Sequence, residues 1–184
     1  MIAIGLFAFL YVVFAASSKP EASGALTRHA SGEMAKLAVL SAPPPMPLRL
    51  IQDAAGAETS LAAFEGEIVV LNIWFTACAP CIHEMPSLAA LQRRYEGRIR
   101  VVPISIDGEA KRADAVRMLA ELSGGDLPFF IDISRGVAFD IAAAGFPVTV
   151  IYGRDGRELA RLAGGADWAS EDAFAVIDAV LARE

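Results

Sequence analysis

The two cysteines of this chain restrict its fold more than any other feature of the sequence. Cys78 and Cys81 are its only cysteines, and they come just after residues 68–75, a nearly unbroken apolar run rich in branched side chains. A short run without polar alternation is typical of a strand that is buried on both faces. The sequence therefore predicts a central strand that ends beside a pair of thiols.

The residues that follow the cysteines predict a helix. Met85, Leu88 and Leu91 recur with helical spacing between residues 82 and 95, which indicates one apolar face directed toward a core. Pro86 lies inside this segment and predicts a kink. The cysteine pair is therefore expected at the N-terminal end of a helix.

A helix N-terminus favours redox chemistry at such a pair. A thiol reacts as its thiolate, and the free N–H groups and positive dipole end of a helix stabilise this anion. Cys78 is the expected nucleophile, and Cys81, one turn deeper, is expected to resolve a mixed disulfide by attacking the Cys78 sulfur. Pro80 lies in the first turn, where its missing N–H is not needed and its fixed φ helps to hold the two sulfurs.

Two structural roles compete with redox chemistry for this pair. A zinc site would need two further ligands, and the chain offers only His29 and His83 as histidines and no second CxxC. A static disulfide across so short a loop would add little stability, because loop-closure entropy grows with loop length. The position between a strand and a helix favours a redox pair.

The apolar patterns elsewhere predict an alternation of strands and helices. In chain order they predict a strand at 100–106, a helix at 110–122, a short strand at 129–133, a helix at 136–144, a strand at 148–152, a returning strand at 157–163 and a helix at 170–181. The Asp155-Gly156 pair predicts the hairpin turn, and Ser170 is a candidate N-cap. This order predicts an α/β fold.

Two segments resemble the thioredoxin superfamily, and more closely its TlpA and ResA branch. They are IVVLNIWFTACAPCIHEMP at 68–86 and GFPVT at 145–149. The resemblance covers residues 48–184 and implies a thioredoxin-like fold, in which helices flank a central mixed β-sheet. It also implies that the Phe146–Pro147 bond is cis, that Pro147 faces the cysteines, and that the Phe146 main chain can pair with a client strand.

The resemblance also assigns side chains around the cysteines. Trp74 is expected to pack beneath the site and belongs, with Ala79, Pro80 and Phe146, to the implied substrate-binding region. Glu84 matches a glutamate of this branch and is a candidate acceptor for the Cys81 proton. The alternative is that Glu84 is a solvated first-turn residue favoured by the helix dipole.

Two positions depart from related proteins. Thioredoxin itself carries an acid on the preceding strand where this chain has Asn72. The family usually has Trp immediately before the first cysteine, and this chain has Ala77. We expect the missing indole to leave a flatter or more open docking surface.

The N-terminal part of the chain differs in composition from the rest. Residues 2–16 are apolar and uncharged, and as a helix they would reach roughly 23 Å, short of a hydrocarbon core of about 30 Å. We predict a membrane anchor or a cleavable signal segment at 1–18, with a buried helix as the third alternative. A tether rich in Pro, Ala and Ser follows at 19–47, and the domain itself is predicted at 48–184.

The resemblance to TlpA carries the functional expectation. The segment at 32–35 and Asp167-Trp168 look more like TlpA than like ResA. The resemblance to TlpA implies that the protein is a periplasmic protein-disulfide reductase. It would be anchored in the inner membrane by residues 1–18, or released into the periplasm if that segment is cleaved. Its clients would be oxidised cysteine pairs in a copper chaperone or in oxidase subunit II, and its electrons would come from a membrane thiol donor. A monomer with no cofactor beyond the disulfide is expected.

Other functions remain as alternatives or are disfavoured. A cytochrome c maturation reductant of the ResA or CcmG kind, acting on haem-attachment cysteines, shares every catalytic residue.

A copper-binding module of the Sco kind needs CxxxC and a distant histidine, and none follows His83. A peroxidase of the peroxiredoxin kind would place Thr three residues before its cysteine, whereas Thr76 lies two before Cys78. A net charge of −6 without a basic cluster argues against nucleic acid as a partner.

Overall fold

A seven-stranded mixed sheet forms the centre of the protein in the computed structural model, which describes residues 26–40 and 42–184. The strands are β1 (Leu50–Asp53), β2 (Glu58–Ser60), β3 (Val69–Trp74), β4 (Arg100–Ser105), β5 (Phe130–Ile131), β6 (Val148–Tyr152) and β7 (Glu158–Ala163). Their order across the sheet is β2-β1-β5-β4-β3-β6-β7. β3, β4 and β5 are parallel, and the other neighbours are antiparallel.

Helices cover both faces of this sheet. They are α1 (Ala79–Arg94), α2 (Arg112–Ser123), α3 (Gly136–Asp140) and α4 (Glu171–Arg183), with 3₁₀ helices at Gly32–Lys36, Leu61–Phe64 and Glu109–Lys111. Val70 and Trp74 of β3 belong to the core beneath α1, α2 and α4, whereas Leu71 and Ile73 belong to the core on the opposite face. The predicted α/β fold, a mixed sheet flanked by helices, is confirmed.

The boundaries of individual elements show where the sequence pattern was insufficient. Every residue of β3 is buried, as predicted. The helix predicted to end at residue 144 stops at Asp140, because Ala142 adopts a φ of 52° that an α-helix does not contain. The β1–β2 hairpin was not predicted, since its strands have three and four residues and Ile51 is the only buried one.

Part of the predicted tether packs against the domain. Leu26 and Met34 are 0% exposed, and Ala38 exchanges two backbone hydrogen bonds of 2.8 Å with Arg161 of β7. The predicted anchor at 1–18 lies outside the described residues. No helix in the described ranges is long and apolar enough to cross a bilayer. The domain start at residue 48 stays a prediction.

The packing of this segment predicts that a chain beginning at residue 48 is less stable than one beginning at residue 26. The shorter chain leaves the core surface beneath Leu26 and Met34 exposed, which should lower the free energy of unfolding by roughly 3 kcal/mol. Urea unfolding of the two oxidised proteins measures the difference. Equal midpoints and slopes would show that residues 26–47 contribute nothing and that the domain starts at residue 48.

Candidate active site

The two cysteines form a disulfide at the junction between β3 and α1. Cys78 is the N-cap of α1, and its sulfur accepts a hydrogen bond from the Cys81 N–H at 3.3 Å. Cys78 is 5% exposed and Cys81 is 0% exposed. A reaction partner can therefore reach the Cys78 sulfur more readily than the Cys81 sulfur, which is what a nucleophile and a resolving cysteine require.

The turn that carries Cys78 is held from β4. Asp107 accepts hydrogen bonds from the Thr76 N–H at 2.9 Å and from the Thr76 hydroxyl at 2.8 Å. The Ser105 hydroxyl donates to the same carboxylate at 2.8 Å. Asp107 was not predicted as a site residue, although an acid directly after a buried strand is a signal of a turn. This network fixes the approach to the disulfide.

Glu84 is buried behind the disulfide, so the reading of it as a solvated residue is wrong. Its side chain accepts hydrogen bonds from the Asn72 amide at 2.7 Å and from the Ala166 N–H at 3.2 Å, and the residue is 1% exposed. The Asn72 amide also donates to the Thr149 hydroxyl at 2.9 Å. Asn72 thus connects β3, α1 and β6 at one point.

Burial raises the pKa of the Glu84 carboxyl. Loss of water around the carboxylate raises its pKa from the usual 4.5 to about 7, and the hydrogen bonds from Asn72 and Ala166 oppose the rise. The indole N–H of Trp168 acts in the same direction as these two donors. The indole nitrogen has no hydrogen-bond partner among the described residues, so the partial positive charge of its N–H acts on the carboxylate from a distance. A carboxyl group of this kind can exchange a proton near neutral pH.

The loop between β7 and α4 lies directly against the cysteine motif. A Cβ atom added to Gly165 would meet the Pro80 carbonyl oxygen at 3.4 Å and the Pro80 Cβ at 3.5 Å. The backbone N–H of Trp168 donates to the Ser87 hydroxyl of α1 at 3.0 Å. This loop was not predicted as part of the site, because its contacts with α1 join residues 81 and 82 positions apart in the chain.

The Phe146–Pro147 bond is cis, as the resemblance implied. Ile73 pairs with Val148, so Pro147 lies at the sheet edge where β3 ends. Phe146 precedes β6, and neither its N–H nor its C=O takes part in a loop hydrogen bond with another described residue. These are the groups that the resemblance expects to pair with a client strand, and that pairing stays a prediction.

A cavity lies beside this proline. It has a volume of about 310 Å³ and is lined by Phe75, Ile106, Asp107, Gly108, Arg135 and Phe146. Phe75 and Phe146 meet edge to face, with ring centroids 5.8 Å apart. The site thus offers an apolar recess next to the free backbone groups.

The residues predicted for the site gather at one edge of the sheet. They are Cys78, Cys81, Glu84 and Pro147, with Ala79 and Pro80 exposed and Phe146 partly exposed beside them. Trp74 is 0% exposed and packs in the same core as both cysteines. It can support the disulfide from beneath, but it cannot contact a client.

A second cavity opens beside Ala77, where the family usually has Trp. It measures about 480 Å³ and is lined by Thr76, Ala77, Lys111, Asp114, Arg117, Met118 and Glu121. Lys111 and Arg117 both form ion pairs with Asp114. This cavity lies between the cysteine turn and α2, and the effect of the missing indole on the docking surface stays a prediction.

The chain matches a known protein family and several known proteins. The model of the AhpC/TSA family matches residues 42–157. The chain is 32% identical over 102 residues to thioredoxin-like protein YneN of Bacillus subtilis (strain 168), covering 55% of this chain and 59% of that protein. It is 28% identical over 111 residues to thiol-disulfide oxidoreductase ResA of the same strain, and this match covers 59% of this chain and 59% of that protein. The chain thus spans about three fifths of the length of these curated relatives.

A solved structure shares the fold. A putative thiol:disulfide interchange protein DsbE from Chlorobium tepidum superposes with a TM-score of 0.67 at 24% identity, over 76% of this chain and 96% of that one. The thioredoxin-like fold and the resemblance to the TlpA and ResA branch are confirmed.

The raised pKa of Glu84 predicts a pH-dependent difference in stability between the wild-type protein and Glu84→Gln. Because the pKa is about 7 in the folded protein and near 4.5 when exposed, the folded state favours the protonated carboxyl. This contribution is complete below about pH 4.5 and is lost as the pH rises through about 7. The free energy of unfolding of the wild-type protein, relative to Glu84→Gln, should therefore fall by up to about 3 kcal/mol between about pH 4.5 and pH 8.

Urea titrations of the two oxidised proteins at several pH values measure this difference. Parallel dependence of the two free energies on pH would contradict the buried, high-pKa carboxyl.

Proposed function

The chain belongs to the AhpC/TSA family, and on that premise we propose that it is a thiol:disulfide oxidoreductase that reduces cysteine pairs in client proteins. The observation that carries the proposal is the disulfide at the N-terminus of α1, in which Cys78 is 5% exposed and Cys81 is fully buried. The relatives named YneN and ResA support the same class of activity.

The proposed reaction transfers two electrons from the protein to its client. The Cys78 thiolate attacks a client disulfide, which forms a mixed disulfide and releases one client thiolate. Cys81 then loses its proton and attacks the Cys78 sulfur, so that the second client thiolate leaves and the protein becomes oxidised. The Cys81 N–H, which reaches the Cys78 sulfur at 3.3 Å, would stabilise negative charge there.

Glu84 is the proposed acceptor of the Cys81 proton. The two residues are three positions apart on α1, a spacing that places them on the same helix face, and both are buried. A carboxyl with a pKa of about 7 is ionised in about half of the molecules at neutral pH, and it can therefore take and return a proton. Asn72 and Ala166 hold the carboxylate in place.

The resemblance to TlpA and the apolar segment at 2–16 support a location in the periplasm. The protein would be anchored in the inner membrane by residues 1–18, or secreted into the periplasm if that segment is cleaved. A membrane thiol donor would then return the disulfide to the dithiol. The Ala-Pro dipeptide between the cysteines lacks the histidine of strongly oxidising motifs and therefore favours reduction as the direction.

We predict that the reduction potential of the protein is about −250 mV or lower, near the value of about −270 mV for thioredoxin. Equilibration with glutathione and dithiothreitol buffers, followed by alkylation of free thiols, measures it. Cys78→Ser serves as the control that cannot form the disulfide. A potential near −120 mV, that of a strong oxidant, would overturn the proposed direction.

The proposed clients are a copper chaperone or oxidase subunit II. The segment at 32–35 and Asp167-Trp168, which are closer to TlpA, favour these clients. The alternative client is apocytochrome c with oxidised haem-attachment cysteines, which the resemblance to the ResA branch of the superfamily implies. Both client classes present a disulfide to the same site, so the docking surface must distinguish them.

Cys81→Ser is expected to trap a client as a mixed disulfide, because the resolving attack on Cys78 is removed. We expect the trapped fraction to be larger with the oxidised copper-site domain of oxidase subunit II than with an oxidised CxxCH peptide of apocytochrome c. Non-reducing gels and mass spectrometry detect the adduct, and the Cys78→Ser, Cys81→Ser double variant is the matched control. Preferential trapping of the CxxCH peptide would favour the alternative client.

A further inference from the structure

Two segments that stood out in the sequence are in direct contact in the structure. Glu33 lies in the 3₁₀ helix Gly32–Lys36, and its carboxylate accepts a hydrogen bond from the Asp167 N–H at 2.7 Å. The two residues are 134 positions apart in the chain. The contact lies next to Pro80 and His83, which line the same cleft of about 410 Å³.

The loop that receives this contact is the one that binds Glu84. Three consecutive backbone N–H groups of the loop each donate to a different side chain. The N–H of Ala166 donates to Glu84 at 3.2 Å, that of Asp167 to Glu33, and that of Trp168 to Ser87 at 3.0 Å. Glu33 is therefore the middle of three acceptors that fix the loop.

The segment around Glu33 is itself held firmly. Met34 is 0% exposed and packs in the same core as Trp168. The Ser31 hydroxyl donates to the Asp172 carboxylate at the start of α4. Gly32 has a φ of 52°, and a Cβ atom there would overlap with Asp172. These contacts give the Glu33 carboxylate a fixed origin from which to restrain the loop.

We propose that Glu33 is a positioning residue of the active site: by accepting the Asp167 N–H, it holds the loop in the place from which the Ala166 N–H binds Glu84. Glu33 touches neither cysteine and acts only through the loop. This inference rests on the proposed function, because it concerns the proton transfer from Cys81 to Glu84.

Removal of Glu33 would act on the Glu84 pKa through the loop and through the lost charge, and these two changes have opposite signs. A hydrogen bond to the ionised carboxylate lowers its pKa, so a loop that loses its restraint should raise the pKa of Glu84. A nearby negative charge raises a carboxyl pKa, so removal of the Glu33 charge should lower it. The other titratable groups that line the cleft are His83 and Asp167, and all variants retain them.

Glu33→Gln and Glu33→Ala separate these effects, because both lose the charge but only Gln retains an oxygen that can accept the Asp167 N–H. The full-length reduced protein is mixed with 5,5′-dithiobis(2-nitrobenzoate) in a stopped-flow instrument. A bimolecular phase reports the attack by Cys78, and a unimolecular phase reports the attack by Cys81. We measure the pH midpoint of the second phase.

We expect the pH midpoint of the second phase to be higher in Glu33→Ala than in Glu33→Gln by about 0.5 to 1 pH unit. At pH 7 the second phase of Glu33→Ala should be about two- to fivefold slower than that of Glu33→Gln. The first phase should be the same in both. Coincident midpoints in the two variants would overturn the proposal. A second phase whose rate does not depend on pH in the wild-type protein would instead contradict the role proposed for Glu84. Absence of the first phase would contradict the proposed function.

Two further variants complete the test. Glu33→Asp keeps the charge but withdraws the carboxylate by one methylene, so its midpoint should lie above that of the wild-type protein; a midpoint equal to wild type would overturn the proposal even if Glu33→Ala does not fold. Glu96→Gln is the matched control, because Glu96 is exposed just beyond the C-terminal end of α1 and its carboxylate makes no hydrogen bond or ion pair with any described residue. Its midpoint should equal that of wild type.

Discussion

The junction between a fully buried strand and the N-terminus of a helix is the constraint on which the site depends. β3 pairs with β4 on one side and with β6 on the other, and all of its residues are buried. The end of such a strand cannot shift without breaking both ladders. The position of Cys78 at the start of α1 is therefore fixed by the sheet, and the register with β6 brings Pro147 to the same edge.

A second constraint is the cost of burying a carboxylate behind that junction. Desolvation of an ionised group costs far more than one hydrogen bond returns, so the group retains its charge only near neutral pH and above. Asn72 and the Ala166 N–H reduce this cost for Glu84 but do not remove it. The result is a carboxyl group that can gain or lose a proton near neutral pH, as the role proposed for Glu84 requires.

Residues 32–38, which belong to the predicted tether, contact the elements that surround the active site. Residues 32–38 contact both the loop before α4 and the edge strand β7. The same loop provides a backbone donor to Glu84. A segment with the composition of a tether is thus continuous with the polar network behind the disulfide.

The central strand, the helix with its cysteine pair and the later proline could all be predicted from local sequence, because each is encoded by neighbouring residues with a clear period or motif. The sequence also indicated Glu84, but not whether its carboxylate was solvated or buried. Its burial became evident from the folded protein, because it comes from Asn72 on β3 and from the loop at 165–168, which lies 82 residues from Glu84 at Ala166. The short β1–β2 hairpin and the packing of Met34 also depended on tertiary contacts, since neither segment has enough buried residues to show a period. Local patterns specify elements, whereas the environment of a buried charge is specified by residues that meet only after folding.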